Sequence, residues 1–349
     1  MRAPVFTSKS VLRTGLFLTA SFFSLATAFA QTEPTRQPDP ARIVAPTPSS
    51  QFKAPDHIDF RVANAWSEGV RLHVEMFSPK ALVGKKLPTI IQAHGWGGTA
   101  ANLRRDAIDM ASAGYQVITF DYRGWGESDS RLVLRKPSPV TPTFGKNQTF
   151  TAEVSEVREY VDPMEQVTDW FSIINWAVGE PSVDADRIGI RGSSFSGGHV
   201  FYIAAHEPRI KAVVSQVGSF DGRWVGATKA ELDKTYDEAT KRAHGAAYPE
   251  PRAVTVGKLV GAPIREKFLQ FAPLEEAPKV KNAAVLFIVA EKEELFDNKD
   301  HAQAAYQRMA GATKKYVVIP TIMHYGVYYE ARNQVIKLAT DWFDQYLKK

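Results

Sequence analysis

The 349-residue chain contains no cysteine. Disulfides are therefore excluded, as is a lipid anchor on an N-terminal cysteine, and stability must come from the core alone. Charge of one sign is also scarce. The formal net charge is +5, but Arg2, Lys9 and Arg13 supply three of those charges and no acid precedes Glu33. Without the first thirty residues, 40 basic residues face 38 acidic ones. That balance is too even to argue for nucleic acid or an anionic lipid surface as partner. No HExxH is present, and the glycine-rich stretches lack the Lys-Ser/Thr or third-Gly spacing of a phosphate cradle. No metal or cofactor is therefore expected. No repeat of fixed period is visible.

What is present is a globular composition, 44% hydrophobic and 23% charged, in a chain long enough for one large domain with insertions. Residues 1–30 place Arg2, Lys9 and Arg13 before an apolar stretch at 16–29 that ends in Ala28-Phe29-Ala30. Basic start, short apolar core and small exit residues predict a cleaved signal peptide and a periplasmic or secreted product. The apolar core is short for a span and is broken by Thr19, Ser21 and Ser24, so no stable membrane anchor is expected after cleavage. Residues 31–56 are rich in proline and read as a flexible leader. The folded domain is expected over 57–349.

Within it, apolar runs alternate with helical periods. Strands are expected at 57–62, 70–77, 89–93, 116–120, near Ile188 to Ile190, and at 210–217, 283–289 and 316–319. Helices are expected at 102–113, 163–178, after Ser194, and at 300–309 and 330–347. Such alternation predicts an α/β fold with a mostly parallel sheet covered by helices on both faces. Two stretches interrupt the rhythm. Residues 129–162 read as a long loop, and residues 222–282, charged and carrying a helical piece at 230–244, read as an inserted helical lid.

The chemistry collects at the predicted strand ends, where ligands of such sheets sit. In Gly192-Ser193-Ser194-Phe195-Ser196-Gly197-Gly198 a serine stands between small residues at a strand-to-helix turn, the layout of a nucleophile elbow. Ser194 is the candidate nucleophile, with Ser193 and Ser196 as rivals. The position two after Ser194, usually glycine, is Ser196. A serine hydroxyl needs an imidazole base held by a carboxylate. His324, after the last strand, is the candidate base; the other seven histidines fall in strands, helices or other motifs. The acid is sought in the loop holding Glu291, Glu293, Glu294 and Asp297. Glu293 is favoured by register, with Glu294, Asp297 and the separate Asp221 as alternatives. Oxyanion donors are the amides of Phe195 and of Trp96 in His94-Gly95-Trp96-Gly97-Gly98. Trp96, Trp125 and Phe195 suggest an aromatic mouth.

Taken together, the His94 loop, Asp121-Tyr-Arg-Gly-Trp-Gly-Glu-Ser128, the Ser194 elbow, the acidic loop and His324-Tyr-Gly resemble the α/β-hydrolase superfamily, closest to its dienelactone-hydrolase-like esterase branch. The resemblance spans about residues 57–349. It implies an eight-stranded sheet and a Ser-acid-His triad on Ser194, Glu293 and His324. It also implies hydrolysis of a small-molecule carboxylic ester, with peptidase or acyl-transfer chemistry on the same triad, or a non-catalytic binding protein of this fold, as the alternatives. Glu293 stands where that superfamily more often has Asp.

Overall fold

The computed structural model describes residues 46–251, 255–256 and 259–348. The expected signal peptide and residues 31–45 of the leader lie outside them. Eight strands form one sheet: β1 (Ile58–Ser67), β2 (Val70–Pro79), β3 (Leu87–Ala93), β4 (Gln116–Phe120), β5 (Val183–Ser193), β6 (Ile210–Gln216), β7 (Ala284–Ala290) and β8 (Lys314–Ile319). Their order is β1-β2-β4-β3-β5-β6-β7-β8. Strand β2 runs antiparallel to both neighbours, and every other pair is parallel. The β1–β2 hairpin turns at Glu68-Gly69, both with positive φ. The expected eight-stranded α/β sheet is the one present.

Helices α1 (Arg104–Ser112), α2 (Pro163–Val178), α3 (Phe195–His206), α4 (Lys229–Ala243), α5 (Ala302–Arg308) and α6 (Arg332–Leu347) complete the domain. Two buried apolar clusters fill the space between helices and sheet. Helix α2 illustrates how the sequence sets this. Asp162 caps it, accepting from the amides of Met164 and Glu165 at 3.0 and 3.2 Å, and Pro163 takes the first turn, where no N–H is needed. Its stripe of Trp170, Ile173, Ile174 and Ala177 is fully buried, each large side chain contributing roughly 1.5–3 kcal/mol. Among the described residues no helix is long and apolar enough to cross a membrane.

The two interruptions are joined to each other. Residues 129–162 carry a ribbon of Arg131–Leu134 against Val154–Val157 and a short strand Tyr160–Val161. That short strand pairs in parallel with Ala262–Pro263 of the 222–282 segment. Local periodicity is silent on a pairing between segments about a hundred residues apart. Beside α4, residues 222–282 hold short turns at Arg223–Gly226 and Arg265–Phe268.

The end of the leader is a correction. Residues 46–56 are seated on the domain rather than flexible. The backbone N–H and hydroxyl of Ser49 donate to Glu127 at 2.6 and 2.7 Å, and Thr47 O accepts from Arg104 at 2.5 Å. Phe52 packs edge-on to Phe60, with the Arg104 guanidinium over its ring at 4.5 Å. Few apolar residues were enough because Ser49 and Thr47 find polar partners far away in sequence.

Arg104 also carries a buried ion pair. Its Nε donates to both oxygens of Glu75, at 2.8 and 3.1 Å, and both side chains are buried. Among the described residues His73, Glu75 and Glu127 bring ligand atoms within 4.8 Å of one another. Arg104 and Ser49 already hold the two carboxylates. Burial alone would push the Glu75 carboxyl up, but hydrogen bonds from Arg104 and His73 bring it below its ordinary value. Arg104→Met should cost about 3–5 kcal/mol in urea unfolding at neutral pH, because it strands a buried carboxylate. The lowered folded pKa means that the unfolded chain binds the proton more readily. Stability from the pair is therefore complete above the ordinary carboxylate range and lost as pH falls through the folded value. The gap between wild type and variant should narrow on acidification.

Candidate active site

Strand β5 ends at Ser193, α3 starts at Phe195, and Ser194 is the single residue between them, with φ 56° and ψ −123°. A non-glycine residue in this region is strained, and the surrounding backbone must hold it there. The Ser194 N–H donates to Gln216 O at 2.8 Å, while its carbonyl accepts from Gly197 and Ser219 at 2.9 and 3.2 Å. Only small residues fit around so sharp a turn. A Cβ on Gly192 would stand 2.1 Å from Ser196 O, and one on Gly198 would stand 1.9 Å from Ser219 O. Ser196, in the usual glycine position, is buried with Oγ 3.0 Å from the Tyr122 hydroxyl. That hydroxyl also accepts from Trp170 Nε1 at 2.8 Å. The extra hydroxyl at this position is thus satisfied in a buried network.

His324 opens a short 3-10 turn, His324–Tyr328, after β8. Its Nε2 lies 3.0 Å from Ser194 Oγ, and its Nδ1 lies 2.8 and 2.9 Å from the two oxygens of Glu293. The imidazole and the carboxylate are 1% and 2% exposed. The other acids of the loop face elsewhere. Glu294 accepts from the His324 backbone N–H at 2.7 Å, Glu291 from the Thr321 N–H at 2.7 Å, and Asp297 from the Lys299 N–H at 2.9 Å. Asp221 is held by the Arg223 guanidinium. Of the rival serines, Ser193 bonds Tyr328 and Gln216, and Ser196 bonds Tyr122. The acidic loop therefore offers one carboxylate to the imidazole, a choice that the sequence left open.

Six of the remaining seven histidines have other occupations. Burial lowers His94 to about 4 and His199 to about 3, so both stay neutral and are weak bases. His73 faces Glu75, His206 faces Glu276 and His57 faces Ser112. His301 is half-buried, its Nδ1 accepts the Phe220 N–H at 2.9 Å, and its ring lies 4.5 Å from that of Phe296, tilted by 41°; Phe296 in turn borders His324.

The glycine loop after β3 lies beside the elbow because Ala93 is opposite Gly192 in the sheet. The Gly95 backbone packs so closely that a Cβ there would be 3.0 Å from Ser194 Cβ. Neutral His94 donates from Nδ1 to Gly95 O at 2.8 Å. The planar trans peptide then turns the Trp96 N–H away from His94. Among the described residues neither the Trp96 nor the Phe195 N–H has a hydrogen-bond acceptor.

Asp121, which the sequence reading quoted only inside a motif, anchors this loop. Its carboxylate accepts from the amides of Ala100 at 2.6 Å and Glu127 at 2.9 Å, and burial raises it to about 6. An aspartate at a strand exit before a glycine-rich turn was the available signal. Trp96 packs 5.4 Å from both Phe195 and Phe268, and Phe195 stacks on Phe268 at 5.3 Å. Trp224 extends the cluster. Trp125 does not join it. It is buried, with its indole N–H on Tyr160 O at 2.9 Å.

Residues 68–339 match the family described as X-Pro dipeptidyl-peptidase (S15 family). An Escherichia coli protein, described as an uncharacterized 31.7 kDa protein in the traX-finO intergenic region, is 28% identical, covering 80% of this chain and 97% of its own. Among solved structures, a hypothetical protein from Pseudomonas aeruginosa superposes with a TM-score of 0.67 at 18% identity, over 85% of this chain and 96% of its own. A putative dienelactone hydrolase from Klebsiella pneumoniae superposes with a TM-score of 0.55 at 19% identity, over 83% and 99%.

Proposed function

The chain belongs to the X-Pro dipeptidyl-peptidase (S15) family and is a serine hydrolase of the α/β-hydrolase fold, and from that premise we propose that it cleaves carboxylic esters through an acyl-enzyme on Ser194. The observation that carries the reading is the contact of His324 Nε2 with Ser194 Oγ at 3.0 Å while Glu293 occupies the other ring nitrogen. Ser194 Oγ attacks the ester carbonyl carbon as His324 Nε2 accepts its proton. Glu293 fixes the tautomer that leaves Nε2 free to accept, and it stabilises the imidazolium. The carbonyl oxygen becomes an oxyanion held by the N–H groups of Phe195 and Trp96, each such donor worth about 3 kcal/mol of barrier. Collapse expels the alcohol, which takes the proton from His324. Water activated by the same imidazole then releases the acid and restores Ser194.

Peptide cleavage is the second reading, since the family description names a peptidase. Two observations favour the ester. The side chains around the nucleophile's neighbour Phe195 include the uncharged aromatics Trp96, Phe268 and Phe271. The nearby carboxylates Glu291, Glu294 and Asp221 are each bonded to backbone or arginine donors rather than left to hold a substrate ammonium. Purified protein should hydrolyse short p-nitrophenyl esters faster than X-Pro p-nitroanilides. A fluorophosphonate should add once, on the peptide containing Ser194. Turnover of the anilides alone would move the assignment to a peptidase, and labelling at another serine would remove it.

A further inference from the structure

The turn that carries the base and the elbow that carries the nucleophile are joined twice. Besides the contact of His324 with Ser194, the Tyr328 hydroxyl lies 2.6 Å from Ser193 Oγ. Tyr328 closes the same five-residue turn that His324 opens, and Ser193 is the residue immediately before the nucleophile. The two bonds therefore run side by side between the elbow and the turn. We propose that Ser193 and Tyr328 are positioning residues, a hydroxyl clasp that holds the His324 imidazole at reaction distance from Ser194. The proposal rests on the reading of Ser194 as nucleophile and names what sets the distance over which its proton moves.

The elbow side of the clasp is rigid. Gln216 Nε2 donates to Ser193 Oγ at 3.0 Å, and Gln216 Oε1 accepts from Arg191 at 2.9 Å. A guanidinium only donates, so the amide cannot be reversed and Ser193 receives the N–H. Arg191 also donates to Gln92 at 2.8 Å and pairs with Asp106 at 2.9 Å. Asp106 in turn holds Arg332, the first residue of α6, at 2.7 Å. Ser193, Gln216, Arg191 and Arg332 are all buried. The turn side is different. Met323 and Tyr329, which flank the turn, are exposed, and Glu294 and Glu293 bind only its first residue. Beside the buried packing of Val327, Tyr328 adds the hydrogen bond that runs directly from the far end of the turn to the elbow strand.

The alternative is that the bond only stabilises the fold, and the two roles separate in kinetics. A positioning role lowers kcat and leaves KM, because the Ser194 to His324 geometry matters in the transition state and not for holding substrate. In Tyr328→Phe and in Ser193→Ala, kcat on a p-nitrophenyl ester and the rate of fluorophosphonate labelling should fall by about tenfold or more. KM should stay within about twofold in both, and thermal unfolding of Tyr328→Phe, which leaves Ser193 bonded to Gln216, should remain a single transition near that of the wild type. The double variant should lose no more than the worse single one, since both remove the same bond. Wild-type kcat and labelling rate in either single variant would overturn the clasp, as would a double variant whose loss is the product of the two. A wild-type protein not labelled at Ser194 would overturn the nucleophile assignment, and the clasp with it.

Discussion

Ser194→Ala should lower kcat on a short ester by at least about a thousandfold and approach a millionfold, the span seen when a triad nucleophile is removed. A thousandfold corresponds to roughly 4 kcal/mol of barrier. What survives would be the contribution of the Phe195 and Trp96 amides and of substrate binding. The variant should fold normally. Ser194 Oγ bonds only His324 among the described residues, and the strained backbone is held by bonds to Gln216, Gly197 and Ser219 that alanine keeps. Alanine has the same Cβ, so the stability change should lie within about 0.5 kcal/mol. Urea unfolding of the variant beside its esterase rate separates lost chemistry from lost fold. More than a tenth of wild-type activity in a folded variant would place the nucleophile elsewhere.

The second large effect distinguishes the carboxylates. Glu293→Gln should cost about 10⁴ in kcat, as an amide does in place of a triad acid. The amide nitrogen can donate to His324 Nδ1, which moves the ring proton to Nε2, so that Nε2 can no longer accept from Ser194. Glu294→Gln should cost far less, because its remaining amide oxygen still accepts the His324 N–H now bonded at 2.7 Å. The comparison is made with both purified variants on one ester at one pH. A larger loss in Glu294→Gln than in Glu293→Gln would reverse the assignment.

The elbow was readable because its geometry makes demands on single letters. A residue at φ 56° between a strand and a helix tolerates only small neighbours, and Gly192, Ser196, Gly197 and Gly198 declare this in one continuous stretch. Strands such as β4 and helices such as α2 were equally legible, since burial of one face imposes a period that local sequence carries. Ser196 departed from the usual letter without loss because Tyr122 receives its hydroxyl, a compensation invisible from the motif.

Choosing Glu293 among Glu291, Glu294 and Asp297 needed three dimensions. Four carboxylates on one loop are chemically alike, and only the path of the chain after β7 decides which one faces an imidazole 31 residues away. The same holds for the pairing of Tyr160–Val161 with Ala262–Pro263 and for the docking of Ser49 on Glu127. It holds most for Tyr328 and Ser193, 135 residues apart and now 2.6 Å from each other. Patterns set by local backbone and one-sided burial are written along the chain. Contacts between polar side chains from distant segments are set by how the strands are ordered in the sheet, and that order exists only once the chain has folded.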